Sequence, residues 1–406
     1  VWISNQYGNT GVDMARLDVK TGLTNGFFQP NPLLQPKPGD PGVSLSPIAT
    51  TEVDITDKNF KMPQVFRANL AADRQLIYGL VGTVELIFSR AINDVAYQNL
   101  NYKQTGNWSV DGRKTYTKVN TNNFTDIILM KNTNKNYQYS ATFQLQGDLP
   151  YGINVNTAYT YNRAFDVNSV VSSQAYSQWR YNPIAYDMND PEVVTANYEI
   201  RHRFFIALSQ TFEFEKDWKT TISLFYNLQS GRPFSYIYDG DVNGDGSRDN
   251  DLIYIPKDGN DIYLGRITSG SFVKDDAMYT KFFNYVNNDD YLKEHKGQTM
   301  KRNAAVEPWQ QQLDLRISQD IPLFTLSNSN HKLQISLDIL NLPNLLNKDW
   351  GRIKYVNNQT DKLLQYVGKT TDGKHVFSFN KTSNDPYLTD DLLSRWQMQF
   401  GIRYSF

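Results

Sequence analysis

Trp396-Gln-Met-Gln-Phe-Gly-Ile-Arg-Tyr-Ser-Phe406, the end of the chain, alternates apolar and polar to its final residue. Trp396, Met398, Phe400, Ile402, Tyr404 and Phe406 fall on one face of an extended strand. Gln397, Gln399, Gly401, Arg403 and Ser405 fall on the other. Side chains on a strand point alternately to opposite faces, so this period of two sorts one face for an apolar medium and one for water. A strand that is apolar outward, polar inward and closed by an aromatic is the pattern of an outer-membrane β-barrel, and an all-β transmembrane antiparallel barrel is the expected fold.

Composition agrees with that expectation. The sequence has no cysteine, which excludes disulfides, thiolate metal sites and cysteine nucleophiles. The formal net charge of −1 gives no electrostatic case for nucleic acid as a partner. Tyr (26) and Phe (22) are plentiful while mean hydropathy is −0.56, and no uncharged apolar run approaches the roughly 20 residues a membrane helix needs. A barrel resolves the apparent conflict, because half of each spanning strand faces water. Val1-Trp2 opens the sequence without Met, basic region or apolar export segment, so Val1 is not expected to be the start of the gene product.

Nine segments carry the period of two: 63–72, 77–89, 137–147, 151–162, 202–214, 218–228, 309–319, 332–341 and 395–406. Their lengths suit a tilted strand crossing a bilayer. The connections alternate. Short polar turns fall near 74, 149, 216 and 326, whereas 91–136, 164–199, 231–308 and 343–394 run to roughly 45, 40, 80 and 50 residues, far beyond hairpin loops. Outer-membrane barrels keep short turns in the periplasm and long loops outside. Counting back from a periplasmic end makes 1–62, rich in Pro and Gly between Pro30 and Pro41, an extracellular loop, with the barrel portion over 63–406. Closed single-chain bacterial barrels normally have an even strand number, and an open sheet edge is untenable in lipid. Nine strands are therefore expected to be the C-terminal part of a larger barrel whose remaining strands precede residue 1. The lipid face is expected to carry Phe143, Leu145, Ile222, Leu224, Leu315, Ile335, Leu337, Phe400 and Ile402.

Three stretches add a resemblance. Ser230-Gly-Arg-Pro-Phe-Ser-Tyr236 leads into Asp241-Val-Asn-Gly-Asp-Gly-Ser-Arg-Asp-Asn-Asp-Leu-Ile-Tyr-Ile-Pro256. Asp314-Leu-Arg-Ile-Ser-Gln-Asp320 is followed by Leu337-Asp-Ile-Leu-Asn-Leu342 and Asn347-Lys-Asp-Trp-Gly351, and the terminal strand is the third. Together they resemble the C-terminal barrel half of TonB-dependent outer-membrane receptors of the Oar-like branch, with SusC-like importers the nearest alternative. The resemblance implies a 22-stranded barrel filled by an N-terminal plug, coupling to the TonB complex through a TonB box, and import of a nutrient. The plug and TonB box are not in this sequence. A surface lipoprotein lid is a further implied partner. The competing expectation is a passive porin-like channel or an adhesion barrel.

One local motif points to a metal. Asp241, Asn243, Asp245, Ser247 and Asp249 sit at positions 1, 3, 5, 7 and 9 of a calcium-loop pattern with Gly246 at position 6. Calcium needs several hard oxygens from a tightly turned segment, and this one supplies carboxylates, an amide and a backbone carbonyl at Ser247. Leu252 stands where an EF-hand has its bidentate Glu, leaving Asp251 one residue early as a spare ligand. The alternative is a solvated acidic turn, and Ca2+ is the one cofactor the sequence suggests.

Other chemistry is thin. His202, His295, His331 and His375 show no zinc spacing. No local signature arranges Ser, His and Asp for nucleophilic attack, and the adjacent acids Asp289-Asp290 and Asp390-Asp391 read as solvated loop charges, so no enzyme is expected. Glu85, Arg203, Glu213, Asp314, Arg316 and Arg403 are expected on the inner wall, facing a plug or one another. Trp179, Tyr181, Tyr186, Phe282, Phe283 and Tyr285 are loop aromatics that either contact substrate or pack the loops together.

Overall fold

A computed structural model describes residues 31–34, 51–108, 110–121, 124–326, 329–383 and 385–406. Most of the 1–62 segment and the turn expected near 326 lie outside the described residues. Nine strands form an antiparallel meander in chain order: β1 Gln64–Gln75, β2 Val81–Asn99, β3 Tyr137–Leu149, β4 Ile153–Asp166, β5 His202–Glu215, β6 Trp218–Gln229, β7 Gln310–Leu326, β8 Ser329–Leu340 and β9 Gln397–Ser405. Each is hydrogen-bonded to the next. Among the described residues, β9 pairs only with β8, and β1 only with β2.

Register aligns like with like across the wall. Val84, Phe143, Tyr159, Phe204 and Leu228 form one transverse row, and Ile222, Ile317, Leu337 and Phe400 another. These side chains stand exposed or half-buried, Phe143 at 52% and Phe400 at 64% exposure. Thr142, Thr160, Arg203, Gln229 and Gln310 make a row on the opposite face, as do Ser209, Ser223, Arg316, Asp338 and Gln399. The polar rows bond along themselves: Thr142 to Thr160 at 3.0 Å, Gln229 to Gln310 at 3.1 Å, and Arg316 to Asp338 at 3.0 Å. A one-residue slip of any strand would put its apolar set into the polar lumen, so the alternation itself fixes register.

Several strands outrun the expected span, β2 and β7 by the most. β2 has 19 residues, so the first long segment begins after Asn99 rather than at 91. Its far half, Asp94–Asn99, leaves the meander to pair with Phe124–Thr133, which pairs in parallel with Thr51–Thr56. β7 runs on to Leu326.

The short turns crowd one rim. A Cβ on Gly147 would lie 3.0 Å from the Gly79 carbonyl oxygen, and one on Gly152 would lie 2.6 Å from that of Thr211. Two of the turns share a form, Ile77-Tyr78-Gly79 and Pro150-Tyr151-Gly152, each with an exposed tyrosine at positive φ (57° and 68°). A bulky residue in that region is uncommon and costs roughly 1 kcal/mol or more.

The long segments fold together into a cap with two apolar cores. One gathers Phe234, Tyr236, Tyr238, Phe282, Val286, Leu364 and Phe377, with Trp108 and Ala185 packed against it. The other joins Tyr97, Ile128 and Met130 to Trp179, Ile184 and Met188. A six-stranded sheet spans the third and fourth segments, with Pro233–Asp239 parallel to Thr360–Lys369. Helix α1, Asp276–Asn288, starts where the Asp275 carboxylate accepts from the Met278 N–H and buries Tyr279, Phe282, Tyr285 and Val286 on one face.

The apolar rows give a depth-dependent expectation. Leu224→Lys, in mid-wall, should cost about 2–4 kcal/mol of unfolding free energy in a bilayer, and Trp309→Lys near a strand end about 0–1 kcal/mol. Equal costs at both sites in denaturant titrations would remove the lipid face from these rows.

Candidate functional site

The segment 241–251 lies where cap elements meet, which removes the solvated acidic turn that stood as the alternative to a metal loop. Asn243, Asp245, Ser247, Asn250 and Asp251 are buried, Asp245 and Asn250 completely. Backbone bonds tie it on three sides. Tyr116 N–H donates to the Asn243 carbonyl at 2.8 Å, Ile184 N–H to that of Asn250 at 2.6 Å, and Tyr238 N–H to that of Asp251 at 2.8 Å.

Within the segment, side-chain oxygens build successive turns. Asp241 accepts from the N–H groups of Gly244, Asp245 and Gly246 at 2.6, 3.1 and 2.9 Å. Asn243 Oδ1 accepts from Asp245 N–H, and Asp245 Oδ1 from Ser247 N–H. Gly244 and Gly246 hold φ of 80° and 86°, and a Cβ on Gly244 would press to 2.5 Å from the Tyr116 carbonyl oxygen. Both positions therefore require glycine.

The six expected metal residues separate into two groups. Asp241, Asn243 and Asp245 bond within the segment, Asn243 Nδ2 donating to Asp245 Oδ2 at 3.2 Å and the Asp245 N–H to Asp241. Asp249 instead pairs with Lys362 Nζ at 2.6 Å and Arg180 at 3.3 Å. Asp251 pairs with Arg113 at 3.1 Å and accepts from Val242 N–H, and Ser247 turns its hydroxyl to the Arg180 carbonyl. Basic side chains brought from other segments thus claim two carboxylates that local spacing had assigned to an ion. Among the described residues, no three His, Cys, Asp or Glu side chains gather as they would around a metal.

Sequence reasoning missed Arg113. Its guanidinium is wholly buried between Asp111 (2.6 Å) and Asp251, donates to the Leu252 carbonyl at 2.6 Å, and lies 5.3 and 5.4 Å from the ring centres of Trp108 and Tyr238. Burial opposes its charge, but the two carboxylates outweigh burial and raise its pKa. Burial lifts Asp251 to about 6 against the pull of Arg113. Burial, then repulsion from Asp251 and Asp241, lifts Asp245 well above the usual carboxylate range. A second buried pair, Arg302 with Asp166, is completed by Asn182 Oδ1 at 2.6 Å.

Cavities open among the cap segments. One of about 450 Å³ is walled by Trp108, Tyr238, Tyr254, Tyr263, His375 and Phe377. His375 lies 4.8 Å from the Trp108 ring centre, and its buried Nδ1 has no hydrogen-bond partner. Burial, then Lys369 and Arg113, lower its pKa to about 4. Another cavity, of about 640 Å³, is lined by Asp94, Asn136, Asp166, Asn168 and Tyr198. Of the loop aromatics, Trp179, Phe282 and Tyr285 are core, while Tyr181 and Tyr186 remain exposed.

In each pair of adjacent acids the first member proved structural, while the side chains of Asp290 and Asp391 stay solvated. Asp289 caps the helix Asp290–Glu294 and accepts from the Tyr236 hydroxyl at 2.6 Å, and Asp390 caps Asp391–Ser394. His202 bonds the Tyr159 hydroxyl at 2.8 Å, and His331 meets that of Tyr404. On the inner wall Arg203 donates to Asn227 at 3.2 Å, and Asp314 accepts from Asn341 N–H at 2.8 Å.

Comparison with known proteins matches residues 3–374 to the model of the outer membrane beta barrel domain. The chain belongs to that family. Its place is the bacterial outer membrane, and the exposed apolar rows are the surface it turns to lipid. No curated protein matches. Among solved structures it is similar to the outer membrane transporter YddB from Escherichia coli, at 10% identity and a TM-score of 0.37, over 88% of this chain and 34% of that one. The chain thus spans about a third of that transporter's length.

Two expectations follow for this barrel's cap. Arg113→Met leaves Asp111 and Asp251 buried without their cation and should cost about 3–5 kcal/mol, with part restored by adding Asp251→Asn. Full additivity of the two changes would show that Arg113 acts through packing instead. His375 has a folded pKa below its unfolded value of 6.5. Its contribution to stability is complete above pH 6.5 and is lost as pH falls through about 4. Melting curves should therefore show the wild type losing more stability than His375→Gln across that window, and parallel curves would refute a buried neutral imidazole.

Proposed function

We propose that this chain supplies the C-terminal barrel portion of a TonB-dependent receptor that imports a nutrient captured by its cap. The observation that carries the reading is the cap itself. All four long segments contribute to its cores, and it holds aromatic and polar cavities of a few hundred cubic ångströms, the size range of small-molecule sites. A passive channel needs an open mouth, and a cored, multi-segment cap works against one.

The remaining partners follow from the wall. Among the described residues, no strand pairs with the outer edges of β1 and β9, and hydrocarbon cannot satisfy such backbone groups. In this reading, earlier strands of the same protein take those edges, a plug packs against the polar rows, and the TonB complex acts through the plug. A surface lipoprotein is the candidate lid over the cap. No covalent chemistry is assigned to the chain, and the ligand class stays open among peptide, glycan and metal chelate.

Reconstitution tests the coupled reading. The full-length protein in a planar bilayer should show no steady ion current, because a plug fills the lumen, and should bind the periplasmic domain of TonB. A stable open current without TonB binding would instead establish the porin-like channel.

A further inference from the structure

We propose that the 241–251 segment is a calcium site whose ligands are the side chains of Asp241, Asn243, Asp245 and Asn250. The site does not depend on what the barrel transports.

The first support is uncompensated charge. Asp245 is completely buried, and among the described residues no cationic side chain pairs with it. Arg113 answers Asp251 but is shared with Asp111, and Lys362 and Arg180 answer Asp249. That leaves the carboxylates of Asp241 and Asp245 with amide and backbone donors alone. Burying a carboxylate without a counter-charge is costly.

The second support is independent of the acids. Asn250 is completely buried, its Nδ2 donates to Asp245 Oδ2 at 2.8 Å, and its Oδ1 has no partner. Asn243 likewise offers its Nδ2 to the same carboxylate oxygen, at 3.2 Å. An amide oxygen and nitrogen exchange places by a half-turn. Turned over, Asn250 would set Oδ1 against Asp245 Oδ2. Two oxygens face each other stably only across a cation or a proton, and the calcium titration separates the two. With neither between them the nitrogen must point inward, and the oxygen is then orphaned, which is the arrangement present.

The ligand chemistry selects the ion. Every donor is a hard oxygen, and two are neutral amides, so the site differs from a cluster of three carboxylates. Calcium accepts irregular sets of six to eight oxygens, while magnesium dehydrates reluctantly and demands a near-octahedral shell. A buried, tightly turned segment with mixed donors fits calcium better. The ion would lock the junction where the Tyr116, Ile184 and Tyr238 strands of chain meet, and so set the shape of the adjoining aromatic cavity.

The test uses the full-length protein purified in detergent and stripped with chelator. Titration with CaCl2 in a calorimeter should show one ion per chain, and calcium should raise the melting temperature where equal MgCl2 does not. Asp245→Asn and Asn250→Ala should each weaken binding at least about tenfold, as loss of a ligand implies, and Asn250→Ala keeps the test open if Asp245→Asn fails to fold. Metal analysis of protein prepared without chelator covers an ion that never leaves. Wild-type protein that holds no calcium by that analysis, binds none at millimolar concentration and melts identically in calcium and chelator would overturn the proposal. So would Asn250→Ala binding calcium as tightly as wild type.

Discussion

A peptide group in hydrocarbon has no water to bond, and that one fact governs the molecule. Each backbone N–H and C=O at membrane depth must find its partner in a neighbouring strand, so the wall is an unbroken antiparallel ladder from β1 to β9. The pleat then divides every strand between two media. Lipid takes Ile222, Ile317, Leu337 and Phe400, and water takes Ser223, Arg316, Asp338 and Gln399. Irregular backbone has nowhere to go but beyond the wall, which is why helices, parallel pairings and buried charge all gather in the cap.

The wall was legible because its signal is one-dimensional. A period of two survives in the sequence without knowledge of partners, and Trp396 to Phe406 displays it with no interruption. Legibility fails where the medium changes. Beyond Arg90 β2 runs on as a strand but leaves the two-solvent environment, and neighbours such as Ala96 and Tyr97 are both buried, so the alternation that marks the wall is gone. The cap was not legible at all in its architecture. Its pairings join Pro233–Asp239 to Thr360–Lys369, and its packing joins Trp108 to His375. No local pattern encodes such distances. The acidic segment shows both limits at once. Its turns were readable from Asp241, Gly244 and Gly246, but the fate of Asp249 and Asp251 depended on Lys362 and Arg113, each more than a hundred residues away in sequence.

Wall and cap also handle charge differently. The inner wall relies on amides and hydroxyls, with ion pairs such as Arg316 to Asp338 left partly solvated. The cap buries both Arg113, held between two carboxylates and two rings, and Arg302, held by Asp166 and Asn182. A solvated pair adds little and forgives substitution, whereas a buried one fails badly if either member is lost. The cap is accordingly the part of the chain with one acceptable arrangement.

The reach of the cap's core has a consequence for biogenesis. Trp108, Ala185, Tyr238 and Phe377 are brought together from all four long segments. Contacts so distant in sequence close late, because each closure must first overcome a large loop entropy. The wall, built from hairpins, has no such delay. Segments of 40 to 80 residues can pass a bilayer as flexible chain but not as a finished, charge-bearing body. If the cap stands on the outer face, as the reading of a receptor requires, translocation precedes cap folding, and four long segments stay unfolded until the strands beneath them have found their register.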